Sequence, residues 1–133
     1  MLDFAMLEID PVLAEQGAWL DMGKGARVKI ARQSSSKFRK CVQRLLAENS
    51  HRAIDGKMPE DVSEEITARA IAEAIVLDWE GFTMHGEPFP YSVENALTIV
   101  RNPLMTEVRE RWLTFSIDAD NYREARLESD AKK

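Results

Sequence analysis

Pro59-Glu-Asp-Val-Ser-Glu-Glu-Ile-Thr-Ala-Arg-Ala-Ile-Ala-Glu-Ala-Ile-Val-Leu-Asp78 is the stretch on which the fold class turns. Val62, Ile66, Ala70, Ile71, Ala74, Ile75 and Leu77 form the inner stripe of an amphipathic helix. Pro59 suits a first helical turn. Glu60, Asp61, Glu64 and Glu65 crowd the end where the helix dipole favours negative charge. The spacing predicts a helix over 60–78. Upstream, Phe38, Cys41, Val42, Leu45 and Leu46 share one helical face behind the caps offered by Ser34, Ser35 and Ser36, which places a helix at about 36–49. Downstream, Ser92 caps a short helix over 92–101 through Val93, Ala96, Leu97 and Val100. Asn102-Pro103 ends it and opens another over 103–124, with Leu104, Val108, Trp112, Phe115, Ala119 and Tyr122 on one face.

Before these helices the pattern changes to a period of two. Gly17-Ala-Trp-Leu-Asp-Met leads into Gly23-Lys-Gly25 and then Ala-Arg-Val-Lys-Ile-Ala-Arg32. Ala26, Val28 and Ile30 alternate with Arg27 and Lys29, and the glycines supply the positive φ of a tight turn, so a β-hairpin is expected over 17–32. A hairpin is marginal alone and must lean on the helices. The fold expected is mainly α with a small N-terminal β-hairpin, a compact single domain of about four helices over residues 1–125. Residues 126–133 are expected to fray as a charged tail.

Composition agrees with one globular domain. The 133 residues are 44% hydrophobic and 31% charged, which excludes a disordered or fibrous chain. No run of 18 apolar residues is present, so no membrane partner is expected, and the acidic opening Met-Leu-Asp-Phe does not read as a signal peptide. A single cysteine, Cys41, makes no intramolecular disulfide. The expectation is a soluble intracellular domain. The net charge of −5 hides a segregation: residues 1–23 carry five acids and no base, and residues 24–44 carry eight bases and no acid. The basic block is a candidate surface for a phosphate backbone or an acidic protein, or a neutralising face for the acidic remainder.

Catalytic chemistry is thin. His51 and His85 fall in expected loops without the partner spacing that a metal needs. Cys41 lies on an apolar helix face without an activating base. Gly23-Lys24-Gly25 lacks the second distant glycine and the following Ser or Thr of a phosphate loop. No enzyme, cofactor or metal is expected. Residues 79–91 hold Trp79, Phe82, Phe89 and Tyr91 in a segment broken by glycines and prolines, and clustered aromatics either complete a core or anchor an interface.

Val76-Leu-Asp-Trp-Glu-Gly81, Gly86-Glu-Pro-Phe-Pro-Tyr-Ser-Val-Glu-Asn-Ala96, Asn102-Pro103 and Asp118-Ala-Asp-Asn-Tyr-Arg123 together resemble the tail assembly chaperones of long-tailed (siphovirus-type) bacteriophages and prophages. Gly17-Ala-Trp-Leu and Gly25-Ala-Arg-Val-Lys-Ile-Ala-Arg32 extend the resemblance to residues 17–123, with a departure at Ser34–Ser36. The resemblance implies a non-enzymatic protein that coats the helical tape-measure protein, keeps it soluble and helps recruit tail-tube (major tail) subunits. It further implies a homo-oligomer working in the host cytoplasm and absent from the mature virion. A client would then meet Trp79, Phe82, Phe89 and Tyr91, while Arg27, Lys29, Arg32, Lys37, Arg39 and Lys40 meet an acidic surface on a sister subunit or the client. The residues alone also admit a small nucleic-acid-binding regulator using 24–44, disfavoured by the flanking acidic blocks, or a structural tail or neck component.

Overall fold

Val76 and Trp79 stand three residues apart and are both buried, yet they belong to an extended strand and not to a helix. The structure, a computed structural model, describes residues 1–123. Strand β1 (Ala18–Gly23) and strand β2 (Ala26–Ile30) form the expected hairpin, and β3 (Val76–Glu80) pairs antiparallel with the other side of β2. Opposite Ile30 the ladder skips from Asp78 to Val76, leaving Leu77 as the extra residue of a β-bulge. The bulge places Val76 and Trp79 on the same face at a three-residue spacing, and this imitates the helical period.

The helix expected over 60–78 therefore ends early. Helix α3 (Glu60–Ala70) widens into a π-helical turn at Ile71–Ile75 and then becomes β3. Ala31 N–H donates to the Ile75 carbonyl across 2.8 Å, so the exit from β2 takes up a backbone group at the point where the helix gives way to strand. Two further short strands, β4 (Thr83–Met84) and β5 (Glu87–Pro88), pair within the segment expected to be a loop.

Helix α1 (Pro11–Gln16), absent from the expected elements, starts where Asp10 accepts from the N–H groups of Val12 and Leu13. Helix α2 (Ser36–Glu48) is capped by Ser35, which accepts from Phe38 N–H. Helix α4 (Val93–Arg101) is capped by Ser92. The last expected helix is divided into a 3₁₀ turn at Pro103–Met105, helix α5 (Thr106–Ile117) and a 3₁₀ turn at Ala119–Tyr122. Among the described residues the fold is thus mixed α/β, with five α-helices, a three-stranded antiparallel sheet and a two-stranded one. It is not a mainly α fold of four helices with one hairpin. The tail expected to fray over 126–133 lies outside the described residues.

One face of the sheet packs on the helices. Val28, Ile30, Val76 and Trp79 meet Ile71, Ile75, Leu97 and Trp112 in the main core. A second cluster joins Cys41 and Leu45 of α2 to Val62, Ile66 and Ala70 of α3, so the apolar stripes read from the sequence do face each other. Tyr122 closes a third cluster with Ala14 and Ala18, and its hydroxyl donates to the Ile30 carbonyl across 3.1 Å.

Candidate functional site

The four aromatics singled out in the sequence converge on one point. Trp79 stacks on Phe89 with ring centroids 5.7 Å apart, and meets Phe82 and Tyr91 edge-on at 5.8 and 5.3 Å. Its indole N–H donates to the Phe89 carbonyl, and the Tyr91 hydroxyl donates to the Val76 carbonyl across 2.9 Å. Burial pushes the Tyr91 phenol above its ordinary value, with the charges of Asp78 and Glu73 adding to the effect. Trp79 itself is largely buried and supports this cluster, and its ring forms part of the cleft lining.

Around that support lies an apolar cleft of about 190 Å³. Phe82 and Phe89 line one wall, Ile99 and Val108 another, and Met22, Met84 and Met105 complete it from β1, β4 and the turn before α5. The sequence reading missed the three methionines. Met22 continues the alternation of Leu20 on the hairpin, which is the signal that could have found it. Thioether side chains adapt their shape to what they meet, and promiscuous binding surfaces use them for that reason. Trp112 also lines the cleft, and its buried indole N–H has no acceptor among the described residues. An unmet buried donor costs about 1–3 kcal/mol.

The basic block does not form one surface. Arg27 and Lys29 stand on the outer face of the sheet, where the Arg27 guanidinium lies 3.9 Å from the centre of the Trp19 ring and pairs with Glu80. Arg32, Lys37, Arg39 and Lys40 gather around the start of α2 and make no direct ion pair among the described residues, the nearby carboxylate being that of Glu15, which accepts from Ser36 N–H and feels the charge of Arg39. Arg32 and Arg39 border an open groove of about 420 Å³ with Phe38 and Ile117. Lys37 and Lys40 border a neighbouring hollow with Cys41, Arg44 and Glu73. There Arg44 bridges Glu48 and Glu73, each at 3.1 Å. Burial, and then the Glu73 charge, push the Cys41 thiol above its ordinary value, which works against thiolate chemistry.

His51 and His85 are exposed in turns, as the loop reading expected. Among the described residues no three His, Cys, Asp or Glu side chains are grouped to hold a metal, and no helix is long and apolar enough to cross a membrane. What the geometry offers is apolar contact in the cleft and charge at the start of α2.

The comparisons with known proteins bear on the same segments. A family model described as YdaY prophage protein matches residues 33–133, a span that runs from the groove at the start of α2 through the aromatic cluster. No curated protein and no solved structure matches the chain.

Proposed function

Since the chain belongs to the YdaY prophage protein family, we propose that it serves phage assembly as a tail assembly chaperone, a non-enzymatic protein that holds the helical tape-measure protein until tail-tube subunits replace it. The observation that carries this reading is the apolar cleft formed by Phe82, Phe89 and the three methionines. An amphipathic helix docks by laying apolar side chains into such a groove. A cavity of about 150 Å³ already admits a benzene ring, so this cleft takes one aromatic or leucine-sized anchor at a time. Many shallow sites of this kind along a long client hold it through avidity and still release it. The excess of acid over base, −5 overall, keeps such an assembly dispersed. In this reading the protein works in the host cytoplasm and leaves before the virion is complete.

Co-expression with the tape-measure protein of the same gene neighbourhood tests it. The expected outcome is a soluble client that co-elutes with this chain, and loss of both effects in the Met84→Glu/Met105→Glu variant. A client that stays insoluble while this protein elutes alone ends the chaperone reading. Mass spectrometry of purified particles then separates a departing chaperone from a tail or neck component that stays.

A further inference from the structure

The segment Met1–Leu7 is apolar and stands in solvent. Its 3₁₀ turn, Phe4–Leu7, buries no residue, and Phe4 keeps 85% of its accessible surface. Contiguous exposed apolar surface of this kind marks an interaction site more often than an idle one. Together with its root it is acidic: residues 1–10 carry Asp3, Glu8 and Asp10 against no Lys or Arg, the amino group of Met1 being the one cation. It is held at its root and is not a loose end: Asp10 N–H donates to the Tyr122 carbonyl, and Arg123 Nε donates to the Leu7 carbonyl, each across 2.9 Å.

The groove at the start of α2 has the opposite character. Its apolar floor is half-buried Phe38 and exposed Ile117, and its borders are Arg32 and Arg39. Among the described residues neither guanidinium pairs with a carboxylate, which is also true of Arg52 and Arg111, whereas Arg27, Arg44, Arg69, Arg101, Arg109 and Arg123 all do. Groove and arm root also lie at the same end of the molecule. Arg32 N–H donates to the Ala14 carbonyl of α1 across 2.9 Å, and Gln33 N–H donates to the Ser116 carbonyl across 3.0 Å, shortly before the turn that holds Asp10.

We propose that Met1–Leu7 of a second copy seats in this groove, with Phe4 against Phe38 and Ile117 and with Asp3 and Glu8 facing Arg32 and Arg39. An acidic apolar arm and a basic apolar groove complement each other in both charge and surface. Because root and groove share one end, two copies exchange arms about a two-fold axis, the isologous arrangement in which each partner donates and receives the same element. This site is separate from the aromatic cleft, and the proposal does not depend on what that cleft binds.

The test uses the full chain with Phe4→p-benzoylphenylalanine, mixing isotope-labelled and unlabelled copies before irradiation and mapping the cross-links. The expected result is cross-links between labelled and unlabelled copies, from position 4 to residues 32–39 or 116–117. Sedimentation equilibrium of the unmodified chain should give a dimer. Arg32→Glu/Arg39→Glu should weaken that dimer at least about tenfold, a free-energy change of about 1.4 kcal/mol, with circular dichroism unchanged. Adding Asp3→Lys/Glu8→Lys to that variant should restore it. Cross-links confined to single copies, cross-links to the aromatic cleft, a monomeric unmodified chain, or a dimer indifferent to the two arginine substitutions would each overturn the proposal.

Discussion

Trp79 donates its indole N–H to the carbonyl of Phe89 across 2.8 Å while the two rings stack, so one residue of the sheet fixes the return of the β4–β5 hairpin by two contacts at once. Trp79→Phe keeps an aromatic ring and removes the bond, leaving the Phe89 carbonyl without its donor. The expected loss is about 1–3 kcal/mol in urea unfolding. Trp79→Ala, which also opens a cavity beside Trp112, should cost about 3–5 kcal/mol. A midpoint unchanged by Trp79→Phe would mean that the bond contributes nothing net.

Gly81 follows β3 at φ +82°, and a Cβ there would come within 2.5 Å of the Gly25 carbonyl oxygen. Gly25 and Ala26 are backbone of the β1–β2 turn and strand, so no flexible side chain can give way. A left-handed conformation alone costs a non-glycine residue about 1–3 kcal/mol, and the clash adds to it. Gly81→Ala should lower the unfolding free energy from urea titration by at least that amount. Gly86→Ala gives the control, since its φ is also +82° but nothing lies within 4 Å of an added Cβ. Equal losses in the two variants would show that the approach of the two backbones is unimportant.

The helical faces, the caps at Ser35 and Ser92 and the glycine-turned hairpin were legible because each rests on a local pattern of a few residues. Strand β3 was not. Its alternation is broken at Leu77, the bulge residue, which falls three residues after Ala74 and so prolongs the helical stripe of Ile71, Ala74 and Ile75 without a visible seam. The pairing that makes it a strand comes from β2, nearly 50 residues away, which no local window contains. The candidate site divides in the same manner. Its aromatics stood out as a dense cluster in the sequence, whereas Met22 and Met105 join it only because the sheet and α5 bring distant segments together. The split of the basic block was likewise hidden, since Arg27 finds its carboxylate on β3.

Cys41 sits beside both Glu73 and Arg44, and burial with the Glu73 charge outweighs the guanidinium to push the thiol up. The thiolate is the reactive form. Alkylation by iodoacetamide near pH 8 should therefore be slower in the folded protein than in urea, where the thiol takes its ordinary value. Glu73→Gln removes the second cause and leaves Arg44, so it should speed alkylation and move the rate profile to lower pH. An unchanged profile would assign the shift to burial alone.

Glu65 joins α3 to α4 through Arg101, and Arg69 approaches the same carboxylate from its own helix at 3.2 Å. The hydrogen bond from Arg101, followed by the charges of Arg101 and Arg69, holds the Glu65 carboxyl below its ordinary value of 4.5. Glu15 is lowered in the same direction, chiefly because it accepts from Ser36 N–H. A carboxyl that binds its proton less tightly when folded stabilises the fold above its unfolded value, and that contribution disappears as pH falls through the lower folded value. The pairs are partly exposed, so solvent limits the Glu65 contribution to about 0.2–1 kcal/mol. The urea midpoint should stay level from neutral pH down to about 5.5 and then fall through the window below the ordinary carboxylate value. Glu65→Gln should lower the midpoint slightly at neutral pH and make the acid-side fall shallower, and high salt should reduce the difference between the two proteins. Parallel curves for Glu65→Gln and the unmodified chain across the whole acid range would remove Glu65 from the account.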